Sequence, residues 1–172
     1  GVTEFGAGML NSIGLANPGM KAVKRDHLPW IARSIRKARV WVSVAGHTIT
    51  DYLDVVHELD DAPGFVGFEL NLSCPNVGGR PFALDPDALQ QVIEKCRAAT
   101  DRPLLAKLAP NDPDLAATAR RAEATGADGL TLVNTMPGRA VDPLTGQPRL
   151  GAGQGGVSGA ALRPIGVQAV AL

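Results

Sequence analysis

Phe65-Val66-Gly67-Phe68-Glu69-Leu70-Asn71-Leu72 is the stretch on which the fold turns. Side chains of a strand point alternately to its two faces. Val66, Phe68, Leu70 and Leu72 therefore share one face, and Gly67, Glu69 and Asn71 share the other. One face is greasy and the other is small or polar. An open doubly wound sheet has helices on both sides and wants both faces apolar, whereas a barrel keeps its helices outside and tolerates polar groups near its mouth. The run Leu104 to Leu108 repeats the pattern, with Lys107 opposite Leu104, Ala106 and Leu108. This parity favours a barrel.

Outward from that strand, the chain alternates strands with capped helices. Val40 to Ala45 reads as a buried strand, followed from about Thr50 by a helix carrying Tyr52, Leu53, Val55, Val56 and Leu59 at helical spacing and stopped by Pro63-Gly64. Beyond Leu72 comes a loop, then Asp85-Pro86 as cap and first residue of a helix that buries Leu89, Val92, Ile93 and Cys96. Leu104 to Leu108 is a third strand. Asp112-Pro113 opens a helix closed by Gly126, and Gly129 to Val133 is a fourth strand. Further helices are expected over roughly Pro29 to Ala38 and from near Ala160 to the chain end at Leu172. Strands alternating with helices imply a parallel sheet. A complete (β/α)8 barrel takes about 250 residues. The expectation for 172 residues with four strands is one α/β domain over 1–172, a partial (β/α)8 TIM barrel lacking its first and last strands. The opening Gly1-Val2-Thr3 and the mid-helix end at Leu172 read as the cuts of a fragment.

Composition narrows the partners. Lys plus Arg equals Asp plus Glu at 17 each, so there is no net field to draw a phosphate backbone or an anionic membrane. Neither nucleic acid nor a membrane is expected. No apolar run reaches the roughly 18 residues of a span, no signal-peptide pattern opens the chain, and a cytoplasmic setting is the default. Cys74 and Cys96 are the only cysteines, too few for a disulfide framework, and Cys96 falls on an apolar helical stripe. His27, His47 and His57 lie on different elements without ligand-like spacing, so no metal site is expected.

The chemistry gathers at the carboxyl ends of the strands, where parallel barrels build their active sites. Asn71, Cys74 and Asn76 follow the second strand, Lys107 ends the third, and Asn134 and Thr135 follow the fourth. A thiol with a free pKa of about 8.5 can be tuned by its surroundings. The flanking carboxamides each offer an acceptor and a donor, enough to hold a planar polar ring by its edge.

With Leu10-Asn11-Ser12-Ile13-Gly14-Leu15 added, the chain resembles the dihydroorotate dehydrogenases of class 1, most nearly their NAD-linked catalytic subunit. The resemblance covers nearly the whole chain. It is carried by Gly8 to Gly19, by Asn71-Leu72-Ser73-Cys74-Pro75-Asn76, by Lys107-Leu108-Ala109-Pro110-Asn111, by Leu130 to Thr135, and by Gly155-Gly156-Val157-Ser158-Gly159. Five segments in the right order are far more specific than any one. The resemblance implies FMN-dependent oxidation of dihydroorotate to orotate in pyrimidine nucleotide synthesis. Cys74 then matches the base that removes the C5 proton. Asn11, Asn71, Asn76 and Asn134 match the side chains that bond the pyrimidine, and Thr135 lies beside it. Lys107 matches the lysine near the flavin N1 and O2, and Ser158 and Gly159 match a loop whose backbone approaches FMN. A homodimer of the full-length parent is implied, with an iron-sulfur FAD electron-transfer subunit as partner in the NAD-linked type. Two electron acceptors fit, NAD through that subunit or fumarate.

Other readings stand beside this one. Lys107 can pair with Glu69 for purely structural reasons, Asn17 and Asn111 suit turns, and Gly155-Gly156 is either a flexible turn or a flavin contact. Val77-Gly78-Gly79-Arg80-Pro81 departs from the commonest NAD-linked form. A dihydropyrimidine dehydrogenase-like barrel shares fold and thiol, although Asn76 after Pro75 favours the orotate enzyme. A tRNA-modifying flavin barrel would need a basic surface. A catalytically silent fragment is the third alternative. The lysine-bearing strand expected ahead of Gly1 and the phosphate loops expected beyond Leu172 imply that this segment alone binds FMN poorly.

Overall fold

The computed structural model describes residues 1–73 and 81–172. The chain opens with an antiparallel pair, β1 (Val2–Phe5) and β2 (Gly8–Asn11). A helical stretch follows, made of α1 (Met20–Ala22), a π-helical turn (Val23–His27) and α2 (Leu28–Ser34). The expected helix over 29–38 is thus displaced: it starts earlier and ends at Ser34. The five-residue step of the π turn carries the buried side from Val23 to Leu28, and this breaks the helical period in the sequence. Beyond it, exposed Arg36, Lys37 and Arg39 have no core to face.

β3 (Trp41–Val44), β4 (Gly67–Asn71), β5 (Leu104–Lys107) and β6 (Gly129–Thr131) form a parallel sheet in that order. They alternate with α3 (Ile49–Leu59), α4 (Pro86–Ala99) and α5 (Leu115–Ala124). Local chemistry explains each helix start. Thr48 and Asp51 form a reciprocal capping box on α3. Asp85 caps α4 through the Ala88 N–H at 3.2 Å, with Pro86 in its first turn. The α5 expectation is corrected: Asp112 spends its carboxylate on the Asp114 N–H at 2.9 Å, so the helix begins at Leu115 with Asp114 as its cap. Gly126 ends that segment at φ 112°, a left-handed value that suits glycine. β4 and β6 are shorter than the expected 65–72 and 129–133.

The parity reading of β4 holds. Phe68, Leu70 and Leu72 are fully buried with Leu104, Ala106 and Leu108, and they pack against Tyr52, Val56 and Leu59 of α3 and Leu89, Val92, Ile93 and Cys96 of α4. The opposite face is polar. There Ser43 Oγ donates to Glu69 at 3.5 Å, Thr131 Oγ1 donates to Glu69 at 2.8 Å, and Lys107 Nζ lies 4.0 Å from the same carboxylate.

A second, antiparallel sheet of order β1-β2-β8-β7 was not expected from the sequence. It joins the opening hairpin to β7 (Met136–Gly138) and β8 (Gly155–Ser158). Gly155 and Gly156 therefore lie inside a strand rather than in a flexible turn. A short 3-10 turn (Ala160–Leu162) leads into α6 (Arg163–Ala171). Among the described residues, no helix is long and apolar enough to cross a membrane.

Candidate functional site

Three strand ends and one link meet around one cavity of about 650 Å³. Asn71 ends β4, Lys107 ends β5, Asn11 ends β2, and Asn134 and Thr135 lie on the link from β6 to β7. All five line the cavity, together with Ser73. The placement follows from pairing. Asn71 sits opposite Lys107 and Lys107 opposite Thr131, while Asn11 sits opposite Gly156 across the antiparallel sheet. The Asn134 N–H donates to Leu108 O at 3.0 Å, tying the β6–β7 link to the end of β5.

The side chains are held by one another. Ser73 Oγ donates to Asn71 Oδ1 at 2.7 Å, and Asn134 Nδ2 donates to the same oxygen at 3.1 Å and also to Ser73 Oγ. The Thr135 N–H donates to Asn134 Oδ1 at 2.7 Å. Fully buried Tyr52 donates its hydroxyl to Asn71 O at 2.7 Å, fixing the backbone where β4 ends. Asn11 Nδ2 reaches Gly156 O at 3.4 Å. Lys107 is the one charged side chain among the described residues of the lining.

Glycine lets the walls close. A Cβ on Gly156 would lie 2.1 Å from Thr135 Oγ1, and one on Gly155 would lie 2.3 Å from Asn11 O. Ser158 and Gly159 are not part of the lining. Ser158 pairs with Met9, and Gly159, at φ 94°, packs so that a Cβ would fall 2.9 Å from Gly8 Cα. Cys74 and Asn76 lie outside the described residues. Cys96 is buried in the core, and burial pushes its thiol up to about 12.

Ser73, Asn111 and Gln154 also line the cavity, although the sequence reading gave them no role. Ser73 stands two residues after Asn71, a spacing at which a hydroxyl can reach back to the preceding carboxamide. Asn111 had been read as a turn residue.

The family model described as dihydroorotate dehydrogenase matches residues 1–172. A dihydroorotate dehydrogenase B (NAD(+)) catalytic subunit from Latilactobacillus sakei is 41% identical over 98% of this chain and 56% of its own length. A putative dihydroorotate dehydrogenase A (fumarate) from Solibacter usitatus is 45% identical over the same shares. The chain thus spans a little over half the length of these curated relatives. Among solved structures, the carboxyl transferase domain of Rhizobium etli pyruvate carboxylase overlays 56% of this chain and 16% of its own at a TM-score of 0.41 and 19% identity, too slight a likeness to bear on the site. With the family model matched from end to end and relatives of both acceptor types aligned over almost every residue, the chain belongs to the dihydroorotate dehydrogenase family.

Proposed function

We propose that this chain is a sector of a (β/α)8 barrel that oxidises dihydroorotate to orotate with FMN, a step of pyrimidine synthesis in the cytoplasm. The observation that carries the reading is the meeting of Asn11, Asn71, Lys107, Asn134 and Thr135 on one cavity at the strand ends. Family membership supports the reaction, and the sequential order β3-β4-β5-β6 with one apolar and one polar face supports the barrel.

The donor set suits a flavin beside a pyrimidine. Carboxamides match a ring edge of alternating N–H and C=O groups, and a single ammonium matches the anion left on a reduced flavin. Lys107 would hold the N1–O2 edge of FMN. When bound, FMN supplies the acceptor for the hydride that leaves C6 of dihydroorotate.

The chain's own residues bind, orient and deprotonate. Cys74 takes the proton from C5, so that loss of this proton and of the C6 hydride leaves the C5=C6 double bond of orotate. Only a few per cent of an ordinary thiol is ionised at neutral pH, so the site must favour the thiolate. Asn11, Asn71, Asn76 and Asn134 orient the pyrimidine without the strong anion attraction that would retain orotate. Thr135 lies beside them. A ring lacking one of its polar groups would leave a carboxamide unpaired, which gives selectivity. For Ser158 and Gly159 the flavin contact rests on the resemblance, since packing against β2 already accounts for the glycine. The homodimer and the iron-sulfur FAD subunit belong to the same proposal.

Dihydroorotate should bleach the flavin of the holoenzyme anaerobically, and Cys74→Ala should nearly abolish bleaching while FMN stays bound. Bleaching at the wild-type rate in that variant would remove Cys74 as the base. Lys107→Ala should weaken flavin affinity or slow its reduction, and no change in either would remove Lys107. Turnover with NAD plus the partner subunit, against turnover with fumarate, identifies the acceptor.

A further inference from the structure

We infer that Ser73 and Asn134 form a polarity relay that locks Asn71 with its amide nitrogen toward the ligand, making Ser73 a positioning residue for specificity. The inference rests on the proposed function for the identity of the ligand, and on hydrogen-bond logic for the relay.

Which end of a carboxamide is oxygen and which is nitrogen is fixed by its hydrogen-bond partners. Here it starts from a group with only one polarity. The backbone N–H of Thr135 can only donate, so the Asn134 atom 2.7 Å away must be Oδ1. The other end of Asn134 is then Nδ2, whose two protons go to Asn71 and Ser73. The Asn71 atom facing it must accept and is therefore Oδ1, which also takes the Ser73 hydroxyl proton at 2.7 Å. What remains of the Asn71 side chain is Nδ2 with two N–H groups, and no bond from it is found among the described residues, although Asn71 lines the cavity. Asn134 has given both of its protons inward, so toward a ligand it keeps only acceptor capacity on Oδ1.

Two carboxamides that look equivalent in sequence thus have opposite jobs. Asn71 demands an acceptor, such as a ring carbonyl oxygen, and Asn134 tolerates only a donor. Turning Asn71 over would set its Nδ2 against the Nδ2 of Asn134 and leave the Ser73 hydroxyl without its acceptor, so the orientation is held from two directions. Tyr52 holds the same residue by its backbone oxygen.

The test compares ligands of opposite polarity. Calorimetry on the holoenzyme measures orotate against its two analogues in which one ring carbonyl oxygen is replaced by an amino group. Wild type should favour orotate over at least one analogue by about 100-fold or more, because donor would face donor. In Ser73→Ala that ratio should fall about tenfold as Asn71 keeps only the hold from Asn134 and turns more easily, and Ser73→Thr, which keeps the hydroxyl, should restore it. A ratio unchanged in Ser73→Ala, or orotate and both analogues weakened alike, overturns the relay. A second readout needs no ligand: the Asn134 side-chain amide protons, followed by NMR, should exchange with solvent about tenfold faster in Ser73→Ala than in wild type. Equal exchange overturns the relay whatever the substrate is. Failure of dihydroorotate to bleach the flavin, with Asn134 exchange responding as expected, would instead sink the function and leave the relay standing.

Discussion

Replacing Tyr52 with Phe removes one oxygen atom from the core, and its consequence can be worked from three observations. Tyr52 is fully buried, its hydroxyl donates to Asn71 O at 2.7 Å, and its ring meets Phe82 edge-on with centroids 5.4 Å apart. Phe keeps the ring contact and the volume, so the change isolates the hydroxyl. A buried acceptor that loses its donor costs about 1–3 kcal/mol. Asn71 is itself 7% exposed, so water offers little relief, and we expect a loss of about 1–2 kcal/mol. For a chain of this size that lowers the melting temperature by about 2–8 °C. Urea titration should show the midpoint moving at constant slope. Because Asn71 ends β4 at the cavity, orotate affinity in the holoenzyme should fall with stability. A stability change below about 0.5 kcal/mol together with wild-type orotate affinity would refute the claim that Tyr52 fixes the end of β4.

Asp51→Ala should cost about 1 kcal/mol by removing the Asp51 half of the α3 capping box and leaving the Thr48 cap alone. The Thr48 and His47 N–H groups, at 2.9 and 2.8 Å, hold the Asp51 carboxyl below the usual range. A depressed folded value gives stability that is present above the unfolded pKa and lost as pH falls through the folded one, so the gap between wild type and variant should close below about pH 4 in urea titrations across pH. Gly156→Ala should destabilise by about 1–3 kcal/mol, since its Cβ would meet Thr135 Oγ1 at 2.1 Å, and Thr135→Gly in the same chain should recover part of the loss on thermal melting. In a Cys74→Ala background the remaining thiol, Cys96, should be inert to an aromatic disulfide reagent at pH 8 until the protein is unfolded, because burial pushes it up to about 12.

What could be read from the chain depended on how local the cause was. The two faces of β4 and the cap at Asp85 are consequences of neighbouring residues, and both emerged as expected. The antiparallel sheet did not, because its strands are three or four residues long, rich in glycine, and pair across most of the chain, as Asn11 does with Gly156. No local period announces such pairing. The π turn hid the true start of the first helical stretch in the same way, by breaking the repeat that would have revealed it. At the site, Asn71, Lys107 and Asn134 follow from strand ends, whereas Asn11 comes from a family motif. Ser73 was passed over because its meaning depends on Asn134, which only the fold brings within reach.

The polar face of the parallel sheet also bears on whether Lys107 is structural or functional. A lysine kept only to neutralise Glu69 would be expected in close contact with it, yet the separation is 4.0 Å. The carboxylate has firmer partners: Thr131 Oγ1 donates to it at 2.8 Å, and Ser43 Oγ lies 3.5 Å away. Side chains 26% and 21% exposed at that distance gain about 1 kcal/mol or less from each other. Glu69 therefore keeps its hydrogen bonds if the ammonium turns away, and the ammonium gives up little by turning. That asymmetry suits a cation poised between a resting partner and a ligand: Glu69 lies one inward-facing step back along β4 from Asn71, and Lys107 stands at the strand end where the cavity begins.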